Sequence, residues 1–495
     1  MAPWIIVQVI VERALSVATA ICQAGQPASE LAATSAITAR CALPFQDNAV
    51  LQQLIHLPVW GTSAPGARVT VSFNTQTKTA QADAEGHWQV VLDPMTAQKL
   101  KTVHGVPQGL TMRILCQRGG KQTVTELHNL VVGEVWLCSG QSNIAGKLHT
   151  NHPTSLPAFP KEAPDYPALR QMVSPADEPW QVCTPQTAKD FRKVCFYFAR
   201  SVLHGTLVPV GIINASVGGS KMETWLNERP FPSGGNYQRM IQPLVGYGLR
   251  GAVWYQGESN ERDRRNYGPK LRALIVGWRK VWNQSSAEPV GGPDREFSFY
   301  FVQLPGIGTS VPNDPRCGDG RAEIRQAQFE ALTLPHTGMA VTIDTGSKQE
   351  HPANKYDTGV RLARLALHYD YGMDKLTPTG PLYKGCKIEG HALRVQFDNV
   401  GKGLVFAKKQ GVQPPTPTPS EQTPWLSIQA KDGSWHWATG KIDGSDLIVS
   451  CPEVQDPIAA RYAYTGNPTG VLLYNKDGLP AAPFTTCGYD PTESK

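Results

Sequence analysis

Val131-Val132-Gly133-Glu134-Val135-Trp136-Leu137-Cys138-Ser139-Gly140-Gln141-Ser142-Asn143 is an apolar run that ends in hydroxyls and amides. It is short, rich in β-branched and aromatic carbon, and bounded by polar residues, which reads as a buried strand running into a tight loop. A serine among small residues at such a place stands beside exposed backbone N–H groups, the setting of an activated nucleophile. Ser139 and Ser142 both meet the description, and a capping serine in an ordinary strand-to-helix loop is the structural alternative.

Downstream of this run, strand candidates alternate with segments of helical period. Residues 187–204 place Phe191, Val194, Cys195, Phe198 and Val202 on one face. Strands over 208–214 and 251–256 follow, then helix 264–282, strand 297–304, helix 321–334, strand 339–344 and a helix near 357–370. The βαβα alternation predicts an α/β fold with a mostly parallel sheet covered by helices on both faces. Ligands of such sheets bind outside the carboxyl ends of the strands. The loops after Cys138, Asn214, Gln256 and Asp344 are therefore expected to converge.

The flanks are of a different kind. Residues 41–127 read as short strands joined by turns, such as Ala64-Pro65-Gly66, and predict a small antiparallel β-sandwich. After about residue 373 the helices stop at Pro378, Gly380 and Pro381, leaving 373–495 as a second β region with a Pro-rich surface loop at 412–419. Residues 1–40 form a leader. Arg13 ahead of the apolar residues 14–21 suits a degraded signal peptide, with an amphipathic leader as the alternative. The first implies a secreted, periplasmic or lysosomal protein, the second a cytoplasmic one; Glu12 and Arg13 argue against a stable membrane span.

Lys and Arg total 47 against 41 Asp and Glu, a net charge of +6 that is spread along the chain. The densest basic stretch, 261–265, is interrupted by carboxylates, so no clustered face for nucleic acid is expected. The ten cysteines include no C-x-x-C pair, and no His/Asp cluster has ligand spacing, so neither metal nor cofactor is expected. Some cysteines are candidates for disulfides that sequence alone cannot pair. Asn214-Ala215-Ser216 and Asn283-Gln284-Ser285 are glycosylation sequons that matter only for a chain secreted in a eukaryote.

Three further loops carry chemistry. In Ala215-Ser216-Val217-Gly218-Gly219-Ser220 the paired glycines let backbone N–H groups approach a ligand closely. Trp254-Tyr255-Gln256-Gly257-Glu258-Ser259-Asn260 puts amides on both sides of a carboxylate. The fourth runs from Asp344 to Glu350, His351 and Pro352, with Asn354 close behind. His351 lies at the carboxyl edge of the last strand.

The first loop, 254–260 and His351-Pro352-x-Asn354-Lys355 together resemble the sialate O-acetylesterases, a branch of the SGNH-type serine hydrolases. The likeness extends into Leu43-Pro44-Phe45-Gln46-Asp47-Asn48 and into Tyr474-Asn475-x-Asp477-Gly478. It implies a flavodoxin-like α/β/α hydrolase domain over 128–372 between two β regions, and removal of O-acetyl groups, most of all the 9-O-acetyl group, from sialic acid. It implies Ser142 as nucleophile, with Ser139 supporting the turn, and His351 as the base that takes and returns its proton. The oxyanion would be held by N–H groups of Ser142 and Gly219 (or Gly218) and by Asn260 or Gln256. Lys348 stands where many SGNH enzymes carry an Asp, so either a Ser–His dyad operates or another carboxylate serves. Glu258 is the first choice, Asp344 and Glu350 the reserves, with an ion pair to Arg325 as the structural alternative for Glu258. Acetylated xylan is an alternative substrate, and a non-catalytic carbohydrate-binding protein the alternative of another class.

Overall fold

The computed structural model describes residues 37–148, 164–175, 178–227, 232–282, 296–308, 314–418 and 421–487. The expected leader lies outside them up to residue 36, as does Asn283 of the second sequon. The organising element is a 20-residue strand, β1 (Lys121–Gly140), whose second half is buried on both faces. With β2 (Tyr166–Val173), β3 (Glu178–Cys183), β4 (Val210–Ser216), β5 (Gly251–Tyr255), β6 (Ser298–Gln303) and β7 (Thr337–Val341) it forms a sheet of order β3-β2-β4-β1-β5-β6-β7. Every neighbouring pair from β2 to β7 is parallel, and β3 is antiparallel to β2.

The helices α1 (Lys193–Thr206) and α4 (Lys355–Tyr369) pack together, and so do α2 (Arg264–Trp282) and α3 (Gly320–Glu330). Aromatic side chains mark the contacts between the layers. Trp136 of β1 meets Phe198 of α1 edge-on and stacks on Tyr300 of β6. Trp254 of β5 meets Trp278 of α2 edge-on. Burial on both sides is why these strands read as continuous apolar runs.

The expectation of a mostly parallel sheet needs correction. The first half of β1 pairs antiparallel with Leu110–Arg118, which continues through Arg68–Phe73 to Gln76–Gln81. The continuous eleven-stranded sheet is therefore mixed, and antiparallel pairing dominates both flanking regions. The physical reason is connectivity: parallel neighbours need crossover connections, here helices, whereas the flanking strands are joined by turns.

β1 also passes the expected boundary at 127/128 without a break. In its buried half Glu134, fully buried, accepts hydrogen bonds from Arg250 (2.7 and 2.8 Å), Gln52 (3.0 Å) and Gln53 (2.6 Å). The chain runs from β1 to β4 on one side and then to β5, β6 and β7 on the other. The order reverses at β1, and a crevice opens beyond its carboxyl end.

The nine described cysteines are free thiols. Asn214 of the first sequon is 1% exposed inside β4, out of reach of glycosylation in the folded chain. No described helix is long and apolar enough to cross a membrane.

Candidate active site

β1 ends at Gly140, whose φ of +135° and distance from β5 both require glycine: a Cβ there would come within 2.1 Å of the Tyr255 carbonyl oxygen. The Gln141 N–H donates to that oxygen at 3.0 Å, and the Val217 N–H donates to the Gly140 oxygen at 3.1 Å. These bonds draw the loops after β1, β4 and β5 together. The one-turn helix Ser142–Ala145 starts there, with Ser142 half-buried at its first position. Its Oγ lies 2.8 Å from Nε2 of His351, an exposed residue on the loop before α4. Ser139 is inside the strand, fully buried, and its hydroxyl has no hydrogen-bond partner among the described residues.

The glycine loop lies against the serine. A Cβ on Gly218 would stand 3.8 Å from that of Ser142, and Gly219 has φ +67°. Among the described residues, the backbone N–H groups of Ser142, Gly218 and Gly219 donate to no protein acceptor. The amides of the third loop are engaged elsewhere. Gln256 donates to Asn260 Oδ1 (2.8 Å) and to the Ser220 oxygen (3.2 Å). Asn260 accepts from the Met222 N–H (2.9 Å) and donates to Glu223 (3.1 Å). Both side chains thus knit the second loop to the third.

None of the three carboxylates bonds to His351. Glu258 accepts from Asn143 Nδ2 at 2.6 Å, and its other oxygen is buried with no partner among the described residues. Asp344, with its side chain 1% exposed, is held by both arms of Arg361 (2.5 and 2.7 Å). Glu350 is exposed, and its backbone oxygen accepts from Asn143 at 3.2 Å. Arg325, the alternative partner considered for Glu258, instead donates to the carbonyls of Leu304, Pro305, Thr465 and Gly466.

Two residues of the site escaped the sequence reading. Asn143, 2% exposed, donates to Glu258 and to the Glu350 oxygen and accepts from the Lys355 ammonium. It joins the Ser142 turn, the third loop and the residue preceding His351. Lys355 is buried over the Tyr255 ring, and burial pushes its pKa down to about 7 against the opposing pull of Glu258. The only signal in the sequence was an amide beside the serine and a lysine one turn beyond the histidine.

A seryl hydroxyl on an imidazole nitrogen, beside unengaged backbone N–H groups at the switch point of an α/β sheet, suits acyl transfer. The comparisons with known proteins agree. The profile of the family "Carbohydrate esterase, sialic acid-specific acetylesterase" matches residues 132–289. The sialate O-acetylesterase of Homo sapiens is 27% identical over 489 residues, covering 86% of this chain and 88% of that protein. A crystal structure of a carbohydrate acetylesterase from Xanthomonas citri is 31% identical and covers 91% of this chain and 100% of its own, with a TM-score of 0.75. The chain belongs to the sialic acid-specific acetylesterase family of carbohydrate esterases and is a carboxylic ester hydrolase.

Proposed function

We propose that this carbohydrate acetylesterase removes O-acetyl groups from sialic acids, the 9-O-acetyl group foremost, through a Ser142–His351 dyad. The observation that carries the reading is the 2.8 Å contact between Ser142 Oγ and His351 Nε2 at the carboxyl end of β1. Ser142 Oγ attacks the acetyl carbonyl as its proton passes to Nε2. The N–H groups of Ser142 and Gly219, or Gly218, receive the oxyanion. Collapse of the tetrahedral intermediate expels the sugar oxygen, which takes the proton from the imidazolium. Water, deprotonated by His351, then cleaves the acetyl-enzyme to acetate and regenerates the hydroxyl.

Gln256 and Asn260 serve this chemistry as positioning residues, because their amides are already bonded within the loops. Glu258 acts on Asn143 rather than on the imidazole. The exposure of His351 leaves the dyad open to an acetyl group carried on a bulky glycan. The human relative named sialate O-acetylesterase supports sialic acid as the substrate class.

The test is acetate release from 9-O-acetyl sialic acid and from acetylated xylan by the wild type, Ser142→Ala and His351→Ala. Both variants should lose about a thousandfold or more in turnover. Persistence of wild-type rates in Ser142→Ala would sink the mechanism. Release from xylan alone would reassign the substrate and leave the mechanism standing.

A further inference from the structure

The C-terminal β region brings together residues that carry no recognisable spacing. Trp435–Trp437 is the edge strand of one four-stranded sheet, and Asp446–Ser450 lies in another. His436 comes from the first, and Cys451 and Glu453 follow the second. A ring nitrogen of His436, the Cys451 sulfur and a Glu453 oxygen all lie within 4.8 Å of one another. Cys451 is 7% exposed and its thiol is free, while Glu453 reaches in from the surface.

The surrounding hydrogen bonds assign the imidazole's protons. Ser434 Oγ is 2.6 Å from Asp432 Oδ1 and 3.0 Å from His436 Nε2. A carboxylate only accepts, so the hydroxyl proton goes to Asp432. The hydroxyl oxygen then accepts from Nε2–H. The same Asp432 oxygen accepts the Ser434 N–H at 2.9 Å, and these bonds hold the Asp432 carboxyl below its ordinary pKa. With Nε2–H directed at Ser434, Nδ1 is the ring nitrogen free of that chain. It faces Glu453 Oε2 at 3.1 Å. Nδ1 is thus the ring nitrogen left to face the cluster, together with the Cys451 thiol and the Glu453 carboxylate.

We infer that His436 Nδ1, Cys451 Sγ and Glu453 Oε2 form a binding site for a borderline divalent transition-metal ion of the zinc type. Two ligand atoms about 2.0–2.1 Å from one such ion, in tetrahedral arrangement, stand a little over 3 Å apart, as Nδ1 and Oε2 do. A thiolate in the set disfavours magnesium and calcium, which take oxygen ligands. The Asp432–Ser434–His436 chain is the outer support that orients a ligating imidazole. The ion would tie the hairpin end at 434–436 to the segment at 451–453, cross-linking two sheets far along the chain from Ser142 and His351. Water would complete the coordination.

The experiment uses the full chain, stripped with a chelator and titrated with Co(II). A thiolate-to-cobalt charge-transfer band should saturate at one equivalent and be displaced by Zn(II). Cys451→Ser should abolish the band. Ser434→Ala, which leaves all three ligands in place, should weaken cobalt binding by about tenfold. Zn(II) should raise the Tm of the wild type and not that of Cys451→Ser, whose unchanged esterase turnover reports an intact fold. If no saturable band forms, or the band survives in Cys451→Ser, these three residues do not hold a transition-metal ion together, which overturns the inference.

Discussion

The side chain of Asn143 sets the relation between Ser142 and His351. It holds the Glu350 carbonyl, one residue before His351, from a backbone position adjacent to Ser142, and the Lys355–Asn143–Glu258 row keeps it from turning away. Asn143→Ala should therefore lower kcat by about a hundredfold, since misplacement of about 1 Å has that effect. KM for a small acetyl ester should change little. A rise in KM with kcat intact would assign Asn143 to substrate binding instead. Ser142 and His351 were singled out through the family resemblance, because by residue type alone Ser139 qualified as well as Ser142 and the chain has twelve histidines. The partner of Glu258 was not, because a carboxylate announces that it needs a donor without saying which. The amide that answers it lies 115 residues away.

Among the elements, the end of β1 tolerates least change. Gly140→Ala would drive a methyl group into the Tyr255 carbonyl at a φ that L-residues avoid. It should cost at least about 1–3 kcal/mol by urea denaturation, and lower kcat as the Ser142 turn shifts away from His351. Wild-type stability in this variant would mean that β1 and β5 separate freely there. Strands β4 to β7 and the four helices were readable because two-sided burial and one-sided amphipathicity leave clear periods. β2 and β3 left none. Pro167, Arg170 and Gln171 break the apolar run of β2, and Arg170 is buried there because its guanidinium donates to the carbonyls of Asn48 and Asn129. Those acceptors come from parts of the chain that the sequence does not bring near.

At the scale of the whole molecule, the Glu134 cluster fastens the N-terminal region to the catalytic sheet. Arg250→Met removes the two bonds of the guanidinium and leaves a carboxylate at 0% exposure with only two amides. A loss of about 3–5 kcal/mol in unfolding free energy is expected, with a lower urea midpoint in one cooperative transition. A first transition confined to the N-terminal region would instead mean that the two parts unfold separately. The expected boundary at 127/128 falls within strand β1: alternating residues at 121–128 look like a hairpin strand, and 131–140 like a buried parallel one. That dual character bears on how such an enzyme diversifies. A recombination point anywhere along β1 would divide a single row of hydrogen bonds shared by the hairpin sheet and the strand that leads into Ser142. Exchange of the N-terminal region at β1 is therefore expected to disturb the turn at Ser142, whereas remodelling of the loops around Ser142 leaves that row of hydrogen bonds whole.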